Sequence, residues 1–172
     1  SEFLGIVYQQ SEQLMGIVND LLDLSRMEAG KPLDLQMELC SIADHIAATV
    51  QRLSGLAYEK EMRLSASIPP ELPLIRADVR RLGQVLTNLI GNAIKFTSAG
   101  GQVWVTASAS DTEVVVAVHD TGVGIPPDAL ERVFDRFYQV DHSATRQAGG
   151  TGLGLYITRE TLQAMGGRIW VE

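Results

Sequence analysis

The sequence predicts an α+β protein built as a two-layer α/β sandwich and preceded by one long helix. Three observations carry that expectation. Apolar residues at heptad spacing fill the first ~30 positions. Helix-period and strand-period segments then alternate through the rest of the chain. Within that part, "QVWVTASA" and "EVVVAVHD" flank Ser110-Asp111-Thr112, which joins them as a β-hairpin.

The 172 residues suffice for one domain with an appendage and a buried core. With 45 % hydrophobic and 20 % charged residues, the composition is that of a globular chain rather than a disordered one. A net charge of −7 argues against a broad electrostatic grip on nucleic acid or an anionic membrane, so no nucleic-acid partner is expected. The single cysteine, Cys40, excludes an internal disulfide framework and a multi-cysteine metal site. No apolar run approaches the ~20 residues of a membrane span and no signal peptide is recognisable. A cytoplasmic setting is expected, in a parent protein that can still be membrane-anchored by other segments.

Taken in order, Leu4, Val7, Ser11, Leu14, Val18, Leu21 and Ser25 form a heptad seam. Phe3, Ile17 and Leu24 widen it on one side, and Tyr8, Met15 and Leu22 on the other. So broad a face suits a helical bundle; the alternative is a terminal helix lying on its own domain. Gly30 and Pro32 stop this helix and set a boundary between 1–30 and 31–172. Leu33, Leu35, Met37 and Leu39 alternate with Asp34, Gln36 and Glu38, the pattern of a half-buried strand. Ser41, with Asp44 three positions on, resembles a cap and opens a helix that reaches to near Glu61. "RLSASI" reads as a strand before Pro69-Pro70. Asp78 caps a helix whose apolar face is Val79, Leu82, Leu86, Leu89, Ile90 and Ala93, and Ser98-Ala99-Gly100-Gly101 ends it. A short helix follows Pro127. Residues 138–150 lack an apolar period and read as a mobile loop. The last helix ends at Gly166-Gly167, before a strand "RIWVE".

Four stretches carry chemistry. "GGTGLGL" precedes a helix; glycines allow close backbone approach to an anion, and the helix N-terminus behind them offers free N–H groups. It lacks the Gly-Lys-Ser/Thr of a Walker loop and the glycine at position 155 that a dinucleotide fingerprint would need. A flexible hinge and cap is the competing reading. In "HDTGVGIPP" an apolar strand delivers Asp120, then Gly122 and Gly124; the carboxylate can accept from an exocyclic amine, although a plain Asp-Gly turn has the same sequence. In "NLIGNAIKF", Asn88, Asn92 and Lys95 fall at i, i+4 and i+7 on one helix face. Asparagine is a poor helix former, so amide oxygens there suggest a task such as holding Mg²⁺, with Lys95 meeting phosphate charge; a solvated polar stripe is the alternative. In "ERVFDRFYQV", Phe134 and Phe137 at i and i+3 are expected to anchor the following loop, from which Arg146 can reach a terminal phosphate.

In this order and at these spacings, the four stretches resemble the catalytic domain of sensor histidine kinases, within the ATPase superfamily shared with gyrase, the heat-shock chaperone ATPases and the MutL proteins. "QVLTNLIGNAIKFT" looks like the asparagine box, "DTGVGIP" the first glycine box, "VFDRFYQVD" the phenylalanine box and "GGTGLGLYIT" the second glycine box. "LMGIVNDLLDLSRMEAG" is similar to the second helix of the dimerisation and phosphoacceptor hairpin. The resemblance implies a Bergerat-type ATP-binding fold, Mg²⁺-ATP as bound ligand, and transfer of the γ-phosphoryl group to a histidine. It makes Asn92 the metal ligand with Asn88 beside it, Lys95 and Arg146 the phosphate contacts, and Asp120 the adenine reader. Gly122, Gly124 and Ile125 then lie beneath the base, while Phe137, Gly150, Thr151, Gly152, Leu153 and Gly154 belong to the lid and its hinge. Implied partners are the parent's own phosphoacceptor hairpin, a response regulator and a second copy of the parent. Two departures stand out. None of His45, His119 and His142 is followed by the acidic-Leu-Arg pattern of the phosphoacceptor, and the chain stops at "GGRIWVE" where the family continues into another strand. The expectation is therefore a fragment lacking its first hairpin helix and last strand. An ATPase of the gyrase or chaperone branch would place Glu at position 88, which is Asn. A non-enzymatic nucleotide-binding or dimerisation module is the third reading.

Overall fold

The computed structural model describes residues 2–140 and 150–172. Helix α1 (Glu2–Glu28) is closed by backbone bonds from Gly30 to Met27 and from Lys31 to Arg26, so the stop expected at Gly30 is there. Strand β1 (Met37–Cys40) leads into α2 (Ile42–Glu59), capped by Ser41, whose hydroxyl accepts from the Asp44 amide at 3.2 Å. Then come β2 (Arg63–Ser67), β3 (Ile75–Asp78), α3 (Val79–Phe96), β4 (Gln102–Ala109) and β5 (Val114–Asp120). Two 3₁₀ turns at Pro127–Ala129 and Arg132–Phe134 precede the last helix, α4 (Gly154–Ala164).

The strands form two sheets. β1 pairs antiparallel with β3, while β4 lies between a parallel β2 and an antiparallel β5. The hairpin predicted around residues 110–112 is the β4–β5 connection, Val103 facing Asp120 and Ala109 facing Val114. Helices α2 and α3 cover one face of the three-stranded sheet. Ile46, Ile90, Ile94, Val103 and Val105 are fully buried between these layers, which is the two-layer sandwich expected from the sequence. On the other face Trp104 and His119 stack across β4 and β5 with ring centroids 4.9 Å apart, and His119 Nε2 meets Thr106 Oγ1 at 3.0 Å.

Three expectations change. The ladder of β1 starts only at Met37, and Leu39 is 66 % exposed, so among the described residues no layer covers it. "RIWVE" forms no strand: Ile169 and Val171 instead pack on Ala129, Val133 and Phe134. Alternation specified which of its side chains to bury, but a strand also needs a neighbour to share its backbone bonds. The helix expected after Pro127 is a pair of 3₁₀ turns. Residues 141–149, with Arg146, His142 and most of the expected loop, lie outside the described residues.

The start of α3 rests on Asp78. Its Oδ1 accepts from the Arg81 amide and its Oδ2 from the Gln36 amide, both at 2.9 Å. Burial pushes this carboxyl up, but the two amide bonds and the nearby Arg80 and Arg81 charges outweigh burial and hold it below the usual carboxylate range. The folded-state pKa is depressed, so the stabilisation is present above the unfolded carboxylate's pKa and is lost as pH falls through the folded one. Asp78→Ala should cost about 1–2 kcal/mol at neutral pH in urea unfolding. The gap from wild type should close in acid; a gap independent of pH would rule out the cap as its source.

Candidate functional site

Helix α3 is the base of the site. Its apolar face is spent on the core, with Leu82, Val85, Leu86, Ile90, Ala93 and Ile94 all buried. That fixes the rotation of the helix and leaves Asn88, Asn92 and Lys95, all half-buried, along its adjoining face. Asn88 is held by α4: its Nδ2 donates to the buried Thr158 hydroxyl at 2.9 Å. A methyl group on Gly154 would come within 2.6 Å of Asn88 Oδ1, so the glycine is what lets α4 approach. Lys95 Nζ lies 4.9 Å from the Phe96 ring centre and would be 3.0 Å from a Cβ on Gly150. Burial pushes the Lys95 ammonium below the usual lysine range.

β5 supplies the opposite edge. Asp120 is exposed at the strand end, where its Oδ1 accepts from the Gly122 amide at 2.7 Å. The turn that follows is pinned to the end of α3 by the Val123 amide donating to the Phe96 carbonyl at 3.3 Å. Gly122 is packed so tightly that a Cβ would sit 2.6 Å from that same carbonyl oxygen. Lys60, Lys95, Phe96, Thr97 and Val123 line a pocket of about 330 Å³ beside this turn.

The glycine loop completes the set. The Phe137 amide donates to the Gly152 carbonyl at 3.0 Å, and the Gln139 amide group donates to the Gly150 carbonyl at 2.7 Å. Thr151 Oγ1 accepts from the Leu153 amide at 3.3 Å. Leu153 itself is fully buried against Leu24, Tyr156 and Ile157, so its side chain is core. Ile125 packs against the cluster of Ala129, Val133 and Phe134. The expected Phe134/Phe137 anchor divides: Phe134 is 8 % exposed and Phe137 62 %, with a left-handed backbone at φ 60°. The helical spacing of three fails because the 3₁₀ turn ends at Phe134.

The structure thus gathers Asn88, Lys95, Gly150, Gly152 and Gly154 where α3 meets the start of α4, with Asp120, Gly122 and Gly124 at the β5 edge. Backbone N–H groups at a helix start and a desolvated ammonium suit a polyanion, and amide oxygens suit a hard cation bound with it. An exposed carboxylate held in a turn suits a donor on the same ligand. The sequence reading missed Thr158, Arg136 and Arg81. Arg136 donates to Glu28 and to the Tyr156 hydroxyl, both at 2.8 Å, joining α1, the phenylalanine segment and α4. Thr158 could have been found: it follows Gly154 by four positions on the same helix face.

Residues 77–172 match the family model described as histidine kinase-, DNA gyrase B-, and HSP90-like ATPase. The sensor histidine kinase WalK of Bacillus subtilis (strain 168) is 36 % identical over 172 residues, covering 99 % of this chain and 28 % of that protein. Full-length ShkA in complex with AMPPNP superposes with a TM-score of 0.78 and 38 % identity over 92 % of this chain and 32 % of that one. Histidine kinase ThkA in complex with response regulator protein TrrA gives a TM-score of 0.74 and 25 % identity over 100 % of this chain and 47 % of that one. The chain spans less than a third of WalK and of ShkA. Among the described residues no helix is long and apolar enough to cross a membrane.

Proposed function

The chain belongs to the family of histidine kinase-, DNA gyrase B- and HSP90-like ATPases, and on that premise we propose that it binds Mg²⁺-ATP and donates the γ-phosphoryl group to a histidine in two-component signalling. One observation carries the reading: Asn88 and Lys95 on α3 converge with the glycine-rich start of α4, and Asp120 stands at the opposite edge on β5. Lys95 and the α4 backbone neutralise phosphate charge, the main requirement of phosphoryl transfer. Asp120 accepts from the adenine amine while Gly122 and Gly124 let the backbone pass beneath the base. Asn92 supplies an amide oxygen to Mg²⁺, the phosphates supplying further ligands, and the ion adds charge neutralisation when bound. Among the described residues no three His, Cys, Asp or Glu side chains gather to hold a metal alone, which suits an ion that arrives with its nucleotide. Asn88 is an amide tied to Thr158 and offers no carboxylate base for water, which favours transfer over hydrolysis.

Residues 1–30 serve as the second helix of the dimerisation hairpin and 31–172 as the ATP-binding domain. None of His45, His119 and His142 carries the acceptor pattern, so the acceptor histidine comes from outside these 172 residues. The parent's hairpin, a response regulator and a second parent copy are the proposed partners, in keeping with the response-regulator complex of ThkA. Support for the nucleotide comes from ShkA, solved with AMPPNP.

The test is nucleotide selectivity. Asp120→Asn should weaken ATP binding by about 1–3 kcal/mol in titration calorimetry and leave the weaker GTP binding almost unchanged. Equal losses for both nucleotides would remove Asp120 as the adenine reader. Asn92→Ala should lower affinity about tenfold with Mg²⁺ present and far less in EDTA. A metal-independent loss would take the ion away from Asn92.

A further inference from the structure

Lys60 lies outside all four motifs, yet its side chain ends on the helix that carries the site. Its Nζ donates to the carbonyl oxygens of Ile94 and Lys95, both at 2.8 Å. Helix α3 ends at Phe96, so these carbonyls belong to its last turn, where the backbone carbonyls point out of the helix end. Lys60 also brings a positive charge to the negative end of the α3 dipole. The approach is built by the end of α2. The Glu61 amide donates to Tyr58 and the Met62 amide to Ala57, both at 2.9 Å, with Glu61 left-handed at φ 56° although it is not glycine. The Glu61 carbonyl then accepts from the Gly100 amide at 3.0 Å, which locks this turn onto the loop after α3.

We infer that Lys60 is a positioning residue of the nucleotide site, capping α3 from a neighbouring helix so that Lys95 and Phe96 stay in register with the β5 turn. The inference rests on the ATP-binding reading above. The geometry links the two ends directly: Lys60 holds the Lys95 carbonyl, and the Phe96 carbonyl holds the Val123 amide. If the last turn of α3 frays, the ammonium and the turn beneath the base lose their common support.

The test uses the 172-residue chain with Lys60→Met, which keeps the stem and removes the donors, and Lys60→Arg, which keeps the charge. Hydrogen exchange should accelerate in Lys60→Met about tenfold at the amides of residues 94–97 and not around Asn88. Affinity for a non-hydrolysable ATP analogue should fall about tenfold in Lys60→Met and recover in Lys60→Arg. In a Lys95→Met background, Lys60→Met should cause a smaller further loss, because the part of the effect that passes through Lys95 is already gone and only the part through the β5 turn remains. Unchanged exchange at 94–97 would overturn the cap. Faster exchange with unchanged affinity, or a full additional loss in the Lys95→Met background, would overturn the positioning role. A wild-type chain that binds no ATP analogue would overturn the nucleotide reading and the positioning role together, while exchange still decides the cap.

Discussion

Asp23→Ala should be the most destabilising single substitution considered, costing about 3–5 kcal/mol and lowering the thermal midpoint by about 10 °C. Asp23 on α1 and Arg81 on α3 are 8 % and 3 % exposed. Both guanidinium NH₂ groups are engaged: Nη1 donates to Asp23 Oδ2 and, at 3.2 Å, to Gln84, while Nη2 donates to Asp23 Oδ1 at 2.9 Å. Arg81 Nε is buried with no partner among the described residues. Removing the carboxylate leaves a buried cation that cannot shed its proton, and that stranded charge accounts for most of the cost. The pair itself is worth much less than its rupture. Asp23→Leu combined with Arg81→Met should therefore recover most of the loss. Calorimetric unfolding of the two variants decides it: a single mutant within 1 kcal/mol of wild type, taking about 1 kcal/mol as the worth of an exposed pair, would show that the contact is not held as a desolvated pair.

That pair also shows where reading the sequence stops. Helix α3 was legible because its cap, its apolar period and its polar stripe are local: Asp78 opens it, and Asn88, Asn92 and Lys95 share a face by spacing alone. Asp120 was legible because an apolar run ending in Asp and glycine turns is also local. Arg81 and Asp23 are 58 positions apart, and Arg136 and Glu28 are 108 apart. No periodicity encodes such meetings; they exist only once α1 has come down on α3 and α4. The heptad seam of α1 was visible, but not that Leu24, on its flank, packs on Leu153 while Leu14, Met15 and Leu22 stay exposed. The phenylalanine segment misled for a different reason. A spacing of three means one face only while a helix continues, and Phe137 has already left the turn with a left-handed backbone.

Phe137 leads to the second large effect, Gly152→Ala, which should weaken binding of an ATP analogue about a hundredfold. Gly152 is left-handed at φ 71°, a conformation that costs alanine about 1 kcal/mol. Space adds more. A Cβ there would lie 2.7 Å from the Phe137 carbonyl carbon, 2.8 Å from its Cα and 3.0 Å from the Tyr138 oxygen. These are backbone atoms, so no rotamer change clears them. Phe137 is itself held at φ 60° by donating to the Gly152 carbonyl at 3.0 Å. The methyl must therefore push the two segments apart, adding about 1–3 kcal/mol of strain. The displaced atoms adjoin Gly154, which allows α4 to reach Asn88, so the strain falls on the groups proposed to hold phosphate. Gly166→Ala is the matching control. Gly166, just past the far end of α4 and outside the proposed site, is left-handed too, at φ 82°, but a Cβ there meets nothing within 4 Å among the described residues. It carries the conformational cost alone, and its loss in affinity should stay within about tenfold. Parallel titrations of the two variants measure the difference. Equal losses would mean that left-handedness, not the backbone contact between Gly152 and Phe137, sets the requirement for glycine in the loop.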